Sequence, residues 1–305
     1  MNTLSHGLSW IDLQFQGRSN VIAAGLVRGA AGVAIVDPGP TSCLSTLDLG
    51  LQEHGIRWDD VRHILLTHIH LDHAGATGTI VRAHPDITVF VHERGVKHMI
   101  EPSRLLDSAT RLYGDRMDVL WGEFAAVPQS NVVSLAGGER VEAGGRVFDV
   151  AYTPGHASHH VSYFDPSAGV AFVGDVAGVC VLEGYVLPPT PPPDIDVEAW
   201  ITSVDRILAW SPSTLFLAHF GPITRVRPHL AELLDHLHVI AETVRESLET
   251  EGTDEEKSER FSDWLRQELH RSMSDAEVDS YVVAAGFRYL WFGLARYWRK
   301  RLGAA

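Results

Sequence analysis

The sequence predicts an α/β fold, a four-layer αββα sandwich of two sheets flanked by helices, with an α-helical C-terminal extension. Two observations predict it. Over residues 1–222, short apolar runs of strand length are separated by Gly and Pro turns and by helical segments. Over residues 223–305, apolar residues recur at helical spacing. We therefore predict a first domain of residues 1–222 and a helical region of residues 223–305.

The first predicted strands cover residues 8–15, 21–27 and 33–36. The third closes on Asp37-Pro38-Gly39, where proline and glycine end a strand. Thr41 or Ser42 can cap the helix that follows.

The next apolar run, residues 61–66, predicts a buried strand, and four metal-competent side chains follow it directly. These are His68, His70, Asp72 and His73. The carboxyl ends of strands are where α/β folds place their chemistry. Imidazole and carboxylate together suit zinc, iron or manganese. Because His68 and His70 can converge on one ion while Asp72 and His73 point elsewhere, the spacing favours two metals.

A helix is predicted over residues 74–84 and a strand over 87–92. Residues 93–126 then carry apolar side chains at helical intervals, which predicts a helical insertion over the same face. It can line a pocket, form a subunit contact or pack on the core. The second sheet is predicted from the runs at residues 132–135, 140–141, 146–152, 160–164 and 170–173.

Three more metal-competent residues follow later strand-like runs. They are His156 after Pro154-Gly155, Asp175 after Gly174, and His219. Together with the His68-x-His70-x-Asp72-His73 cluster, they resemble the signature of the metallo-β-lactamase-fold hydrolases over residues 8–222.

The resemblance implies two metal sites that share one ligand. The first site would be held by His68, His70 and His156, the second by Asp72, His73 and His219, and Asp175 would bridge them. Asp37 would support the metal loop from behind, and His159 and His160 would occupy no metal position.

The same resemblance implies the chemistry. Two divalent ions, zinc or else iron or manganese, would share a water molecule and lower its pKa from about 15.7 toward neutrality, giving a hydroxide nucleophile. Asp72 would accept its proton. The expected substrate is a lactone or a related carboxylic ester. A thioesterase of the glyoxalase II type stays open, as does an iron-dependent sulfur dioxygenase, which would use a single iron.

A proline-rich segment, residues 184–194, begins nine residues after Asp175 and favours a stiff extended loop. We expect it to form one wall of the pocket, where Tyr185 can donate a hydrogen bond to a substrate oxygen and act as a catalytic residue. The alternative is a rigid connector to the helix predicted over residues 197–210.

The C-terminal helices are predicted over residues 228–248, 254–270 and 278–301, the last after a capping start at Ser274 and Glu277. The last helix carries too many large apolar groups for an exposed helix. They cap the pocket, pack the helices together or form a homodimer interface.

Charge and cysteine content indicate which partners and which cellular compartment to expect. The formal charge of −14, from 25 Lys and Arg against 39 Asp and Glu, disfavours a nucleic-acid partner. Cys43 and Cys180 form no disulfide framework and are expected to be buried thiols of a cytoplasmic protein. No run reaches the roughly 18 apolar residues of a membrane span. We therefore expect a cytoplasmic enzyme with a small-molecule substrate.

Overall fold

The computed structural model describes residues 2–5, 7–181 and 184–303, and its architecture confirms the predicted α/β sandwich with a helical C-terminal region. Within these residues the first sheet has seven strands, hydrogen-bonded in chain order. The strands are β1 (Asn2–Ser5), β2 (Leu8–Asp12), β3 (Ala23–Gly29), β4 (Gly32–Val36), β5 (Val61–Leu65), β6 (Thr88–His92) and β7 (Val132–Leu135).

The second sheet has six strands in the described residues, in the order β13-β12-β11-β10-β9-β8. Its β11 and β12 are parallel and its other neighbours antiparallel. The strands are β8 (Arg140–Ala143), β9 (Arg146–Tyr152), β10 (Val161–Asp165), β11 (Val170–Phe172), β12 (Thr214–Leu217) and β13 (Gly221–Ile223).

The α-helices connect and cover these strands. They are α1 (Leu44–Glu53), α2 (Leu71–Ala74), α3 (Thr77–Ala83), α4 (Glu93–Ile100), α5 (Ser103–Tyr113), α6 (Met117–Leu120), α7 (Val197–Ala209), α8 (Val226–Leu248), α9 (Asp254–His270), α10 (Asp275–Ala285) and α11 (Phe287–Arg301).

Three sequence predictions about these elements are corrected. The run at residues 132–135 belongs to the first sheet, because it pairs in parallel with β6, for example Phe90 with Val133. Parallel neighbours need a long crossover, and α4, α5 and α6 provide it. The helix predicted over residues 74–84 is shorter, because α3 covers Thr77–Ala83 and Ala74 is the last residue of α2. The last predicted helix breaks at Gly286, which has a left-handed φ of 58° and separates α10 from α11.

The hydrophobic core has three parts. Between the sheets lie aromatic side chains such as Phe148 and Phe172. One outer cluster lies under α1, α3 and the helices of the β6–β7 crossover. The other unites α7, the second sheet and the C-terminal helices around the fully buried Trp200 and Trp291. The helices after β13 therefore share a core with the sandwich and cover one of its faces.

No helix in the described ranges is long and apolar enough to cross a membrane. Both cysteines, Cys43 and Cys180, are buried and neither is in a disulfide.

Candidate metal centre

All seven predicted ligands come together at one edge of the sandwich. Each follows the carboxyl end of a strand. His68 and His70 lie in the extended segment after β5, and Asp72 and His73 lie in α2, which begins immediately afterwards. The remaining three follow later strands, with His156 after β9, Asp175 in the turn Gly174–Ala177 after β11, and His219 after β12.

One group consists of three imidazoles. Nδ1 of His70 lies 3.0 Å from Nε2 of His68 and 2.9 Å from Nε2 of His156. Around a tetrahedral zinc with Zn–N bonds of roughly 2.0–2.1 Å, ligand nitrogens lie about 3.3 Å apart. The three nitrogens are therefore close to the spacing that one bound ion requires.

The second group consists of Asp72, His73 and His219. Oδ2 of Asp72 lies 3.8 Å from Nε2 of His73 and 3.4 Å from Nε2 of His219. Asp175 lies between the groups. Its Oδ1 is 3.2 Å from His73 Nε2, and its Oδ2 is 3.4 Å from His156 Nε2. One carboxylate thus faces both groups.

The outer ring nitrogens of four histidines are held by acceptors, which leaves Nε2 directed at the centre. Nδ1 of His156 donates to the carbonyl of Pro189 at 2.8 Å, and Nδ1 of His219 donates to that of Val21 at 2.7 Å. The two other acceptors are Thr67 Oγ1 for His68 and Asp37 Oδ2 for His73, at 3.1 and 3.0 Å. A proton fixed on Nδ1 leaves the lone pair of Nε2 for a metal.

Asp37 holds the metal loop from behind, as the resemblance implied. This buried carboxylate accepts the backbone N–H of Thr67 at 2.8 Å and the Thr67 hydroxyl at 2.6 Å, besides Nδ1 of His73. It fixes the backbone before His68 and the ring of His73 with one side chain.

Orphaned polar atoms and the balance of charge fit a bound cation. Nε2 of His73 and Oδ1 of Asp175 are buried without a hydrogen-bond partner in the described residues, which is costly unless another group satisfies them. Burial would lower the pKa of His73, but Asp175, Asp72 and Asp37 raise it well above its usual value. This group therefore carries an excess of negative charge that a divalent cation would balance.

The three imidazoles of the first group are poised as neutral ligands. Burial and the neighbouring His73 and His70 hold the pKa of His68 well below its usual value. Burial likewise lowers the pKa of His70 and of His156. Since a neutral imidazole is the form that binds a metal, this group fits an ion without first losing protons.

Four of the candidate ligands, His70, Asp72, His156 and Asp175, line a cavity of about 700 Å³. Its wall next to them is mainly apolar and comes from the crossover helices, the proline-rich loop and the junction of α10 and α11. The apolar lining includes Ile69, Leu71, Leu105, Leu112, Leu120, Trp121, Pro189 and Val282. The predicted wall of prolines is thus confirmed, and both the insertion and the C-terminal helices line the pocket.

Comparison with known proteins gives the family. The model of the metallo-β-lactamase superfamily matches residues 19–219, which contain every candidate ligand. The chain belongs to this superfamily. The superfamily protein ST1585 of Sulfurisphaera tokodaii, named as metallo-β-lactamase fold-containing, is 31% identical over 181 residues, 58% of this chain and 67% of that protein.

A hydroxyacylglutathione hydrolase of Thermosynechococcus vestitus is 31% identical over 144 residues, 47% of this chain. The chain spans only 42% of that relative's length. Among solved structures, the metallo-β-lactamase family protein TTHA1429 of Thermus thermophilus superposes with a TM-score of 0.72 at 24% identity, covering 97% of this chain and 94% of that one. At this identity the likeness concerns the fold alone.

Tyr185 does not lie where the sequence predicted it. It does not line the cavity in the described residues. Its ring stacks on His236 of α8, with centroids 3.8 Å apart. The backbone of Val179 pairs with that of Leu187 and turns the first half of the loop onto α8, so only the later prolines reach the cavity.

His159 and His160 belong to neither ligand group in the described residues, as expected. His159 lines the cavity, and burial together with the neighbouring His156 and His98 lowers its pKa to about 3. His160 is buried behind the site, where its Nδ1 lies 2.9 Å from the Thr153 hydroxyl.

Sequence reasoning missed a pair of tyrosines over the ligands. Tyr113 of α5 and Tyr289 of α11 meet edge to face, with centroids 5.3 Å apart, and both line the cavity. The Tyr113 hydroxyl makes no hydrogen bond within the described residues. Burial and the nearby charge of Asp72 raise its pKa, so the phenol keeps its proton. The only available signal was the position of Tyr113 on the apolar face of a predicted helix.

Proposed function

We propose that this chain is a binuclear metal-dependent hydrolase that opens lactones or cleaves related carboxylic esters. The observation that carries the proposal is the pair of three-ligand groups joined by Asp175, beside a cavity with many apolar side chains in its wall. Two groups facing one carboxylate suit two ions better than one. An apolar wall suits the acyl part of an ester or lactone.

Two bound divalent cations, zinc being the first candidate, would supply the Lewis acidity that lowers the pKa of a water molecule and polarises the substrate carbonyl. Asp72 is the residue that accepts the proton of the attacking water. Burial would raise its pKa, but His73 and His219 lower it to about 2, so the carboxylate stays ionised at neutral pH.

Tyr113 takes the role that the sequence had suggested for Tyr185. Its protonated hydroxyl lies in the cavity near Asp72 and has no partner in the described part of the chain. A donor placed there stabilises the negative charge that develops on the carbonyl oxygen during attack.

Thioester hydrolysis is the second candidate. It is favoured by the curated relatives named hydroxyacylglutathione hydrolase. A thioester carbonyl presents the same electrophile to the same residues, so the cavity wall and not the metal ligands must choose between the two.

The test is hydrolysis of an acyl-homoserine lactone, a simple δ-lactone, S-lactoylglutathione, nitrocefin and a phosphodiester by protein of known metal content. Preferential lactone turnover with about two metals per chain supports the proposal. Preference for S-lactoylglutathione supports the thioesterase. One iron per chain with thiol-dependent oxygen uptake would replace both with a sulfur dioxygenase.

The variant Tyr113→Phe tests the assigned donor. We expect kcat to fall about a hundred- to a thousandfold, the range for losing one donor to a developing oxyanion. Tyr297→Phe is the matched control. The Tyr297 hydroxyl donates a hydrogen bond of 2.8 Å to Glu198 and does not line the cavity. Equal kcat in the two variants would remove Tyr113 from the mechanism.

A further inference from the structure

A second cavity, of about 820 Å³, adjoins the one that holds the candidate ligands. The two share several wall residues, among them Leu112, Arg116, Gly286 and Tyr289. The shared wall lies where α5 passes the break between α10 and α11. A molecule bound at the candidate metal ligands can therefore extend past the shared wall into the second cavity.

Helix α5 runs along both cavities. Arg104 lines the first, Ser108 lines both and Arg111 lines the second. These residues are spaced at i, i+4 and i+7, so they lie on one side of the helix. At a rise of about 1.5 Å per residue, Arg104 and Arg111 are about 10 Å apart along the axis. The two joined cavities form a continuous passage. The apolar Leu105 and Leu112 lie beside these residues and also face the passage.

The passage is rich in arginine although the chain carries a net charge of −14. Apart from the candidate ligands, its acidic wall residues in the described chain are Asp194 and Glu255. Seven arginines line it and no lysine does within the described residues. They are Arg18, Arg94, Arg104, Arg111, Arg116, Arg266 and Arg288.

Two of the arginines of the second cavity are already paired. Arg266 lies 3.3 Å from Asp279, and Arg288 lies 3.4 Å from Glu259. Arg111 and Arg116 make no side-chain hydrogen bond or ion pair with any residue that the structure describes. Their guanidinium groups are planar forks that match a carboxylate or a phosphate. Among the arginines of the second cavity, these two are the ones without a partner in the described residues.

We propose that the substrate carries an anionic group, a carboxylate or a phosphate, at the end remote from the bond that is cut, and that Arg111 and Arg116 bind this group. An apolar segment then lies along Leu105 and Leu112, with the scissile carbonyl at the metal ligands. The inference rests on the proposed hydrolase function for the position of the carbonyl. The anion site itself depends only on the cavity wall.

The first experiment measures binding and needs no turnover. The metal-loaded wild type, the double variant Arg111→Gln/Arg116→Gln and the control Arg227→Gln are titrated calorimetrically with octylphosphonate, nonanoate and octanol. Arg227 is a matched control because it is exposed on α8, lines neither cavity and likewise has no ion pair in the described residues. We expect the double variant to bind the two anions at least tenfold more weakly than wild type, while the control matches wild type.

Tighter binding of octylphosphonate assigns the remote group as a phosphate, and tighter binding of nonanoate assigns it as a carboxylate. If the anions bound the metals instead of the arginines, the double variant would bind them as tightly as the wild type. That result would overturn the inference.

The second experiment separates this inference from the proposed function. Turnover of p-nitrophenyl octanoate is compared with that of the mono-p-nitrophenyl ester of suberic acid, which has the same number of acyl carbons and a carboxylate in place of the terminal methyl group. We expect the ratio of kcat/KM for the acidic ester to that for the neutral ester to fall at least tenfold in the double variant and not in Arg227→Gln. No turnover of either ester by wild type would count against ester hydrolysis, while the calorimetric result would still decide the anion site.

Discussion

Replacing Asp37 by asparagine tests how the structure keeps the metal ligands in the right protonation state. The carboxylate can only accept hydrogen bonds, so His73 carries its proton on Nδ1, 3.0 Å from Oδ2 of Asp37. In Asp37→Asn an NH2 group at that position would force the proton of His73 onto Nε2 and remove the lone pair that faces the metal. If the amide turned over, its NH2 would instead meet the backbone N–H of Thr67, now 2.8 Å from Oδ1.

Either orientation therefore has a cost. Losing a partner of this kind weakens metal binding about ten- to a hundredfold, which is roughly 1.4–2.7 kcal/mol. In either orientation the asparagine NH2 faces another N–H donor. This unmade hydrogen bond should also lower the free energy of unfolding of the metal-free protein by about 1–3 kcal/mol. The loss of affinity should concern the group of Asp72, His73 and His219, so about half of the bound metal becomes easy to remove.

The assay is competition for metal with a chromophoric chelator, together with denaturant unfolding of the metal-free protein. Asp165→Asn is the control, because this buried carboxylate accepts the backbone N–H groups of Ser167 and Ala168 in the turn between β10 and β11, at the opposite end of the strand from the ligands. The control should lose stability and keep its metal affinity. If Asp37→Asn bound both metals as tightly as the control, the tautomer argument would be refuted.

Three further outcomes are expected. Removing the metals with a chelator should lower the melting temperature by about 5 °C or more, because an ion present at 100 times its Kd contributes about 2.7 kcal/mol; an unchanged calorimetric transition would contradict this. Gly293→Ala should cost about 1–3 kcal/mol in denaturant unfolding, since the added Cβ would lie 2.0 Å from the carbonyl oxygen of Thr190; wild-type stability would show that α11 does not press on the loop. Tyr185→Phe should keep kcat/KM within about twofold of wild type in the esterase assay, and a tenfold loss would return Tyr185 to the site.

The metal ligands could be predicted from the sequence because each of them closely follows a strand-like run. His68, His70, Asp72 and His73 follow one buried strand within six residues, and the chain direction of a strand decides which end carries them. In the second sheet β9, β11 and β12 run in the same direction, so their carboxyl ends lie at one edge. The packing of the two sheets then places the end of β5 beside them. The resemblance supplied the partition into two groups, and the distances agree with it.

The cavity wall could not be found in this way, because it is made by contacts between distant parts of the chain. Tyr113 and Tyr289 touch only because α11 returns over α5, and that return depends on the break at Gly286. Tyr185 was misplaced because sequence distance from Asp175 sets only how far the loop can reach. The pairing of Val179 with Leu187 decides where its side chains go.

The proline-rich loop explains why a hydrolase site should be joined to a helical extension. Its Pro189 carbonyl fixes the ring of His156 at 2.8 Å. The next residue, Thr190, donates its hydroxyl to the carbonyl of Leu290 in α11 at 3.1 Å, a bond that is buried. Prolines between these anchors and the cavity leave the backbone little freedom to shift. The C-terminal helices therefore affect the metal site indirectly, because they hold the loop whose Pro189 carbonyl fixes the ring of the candidate ligand His156.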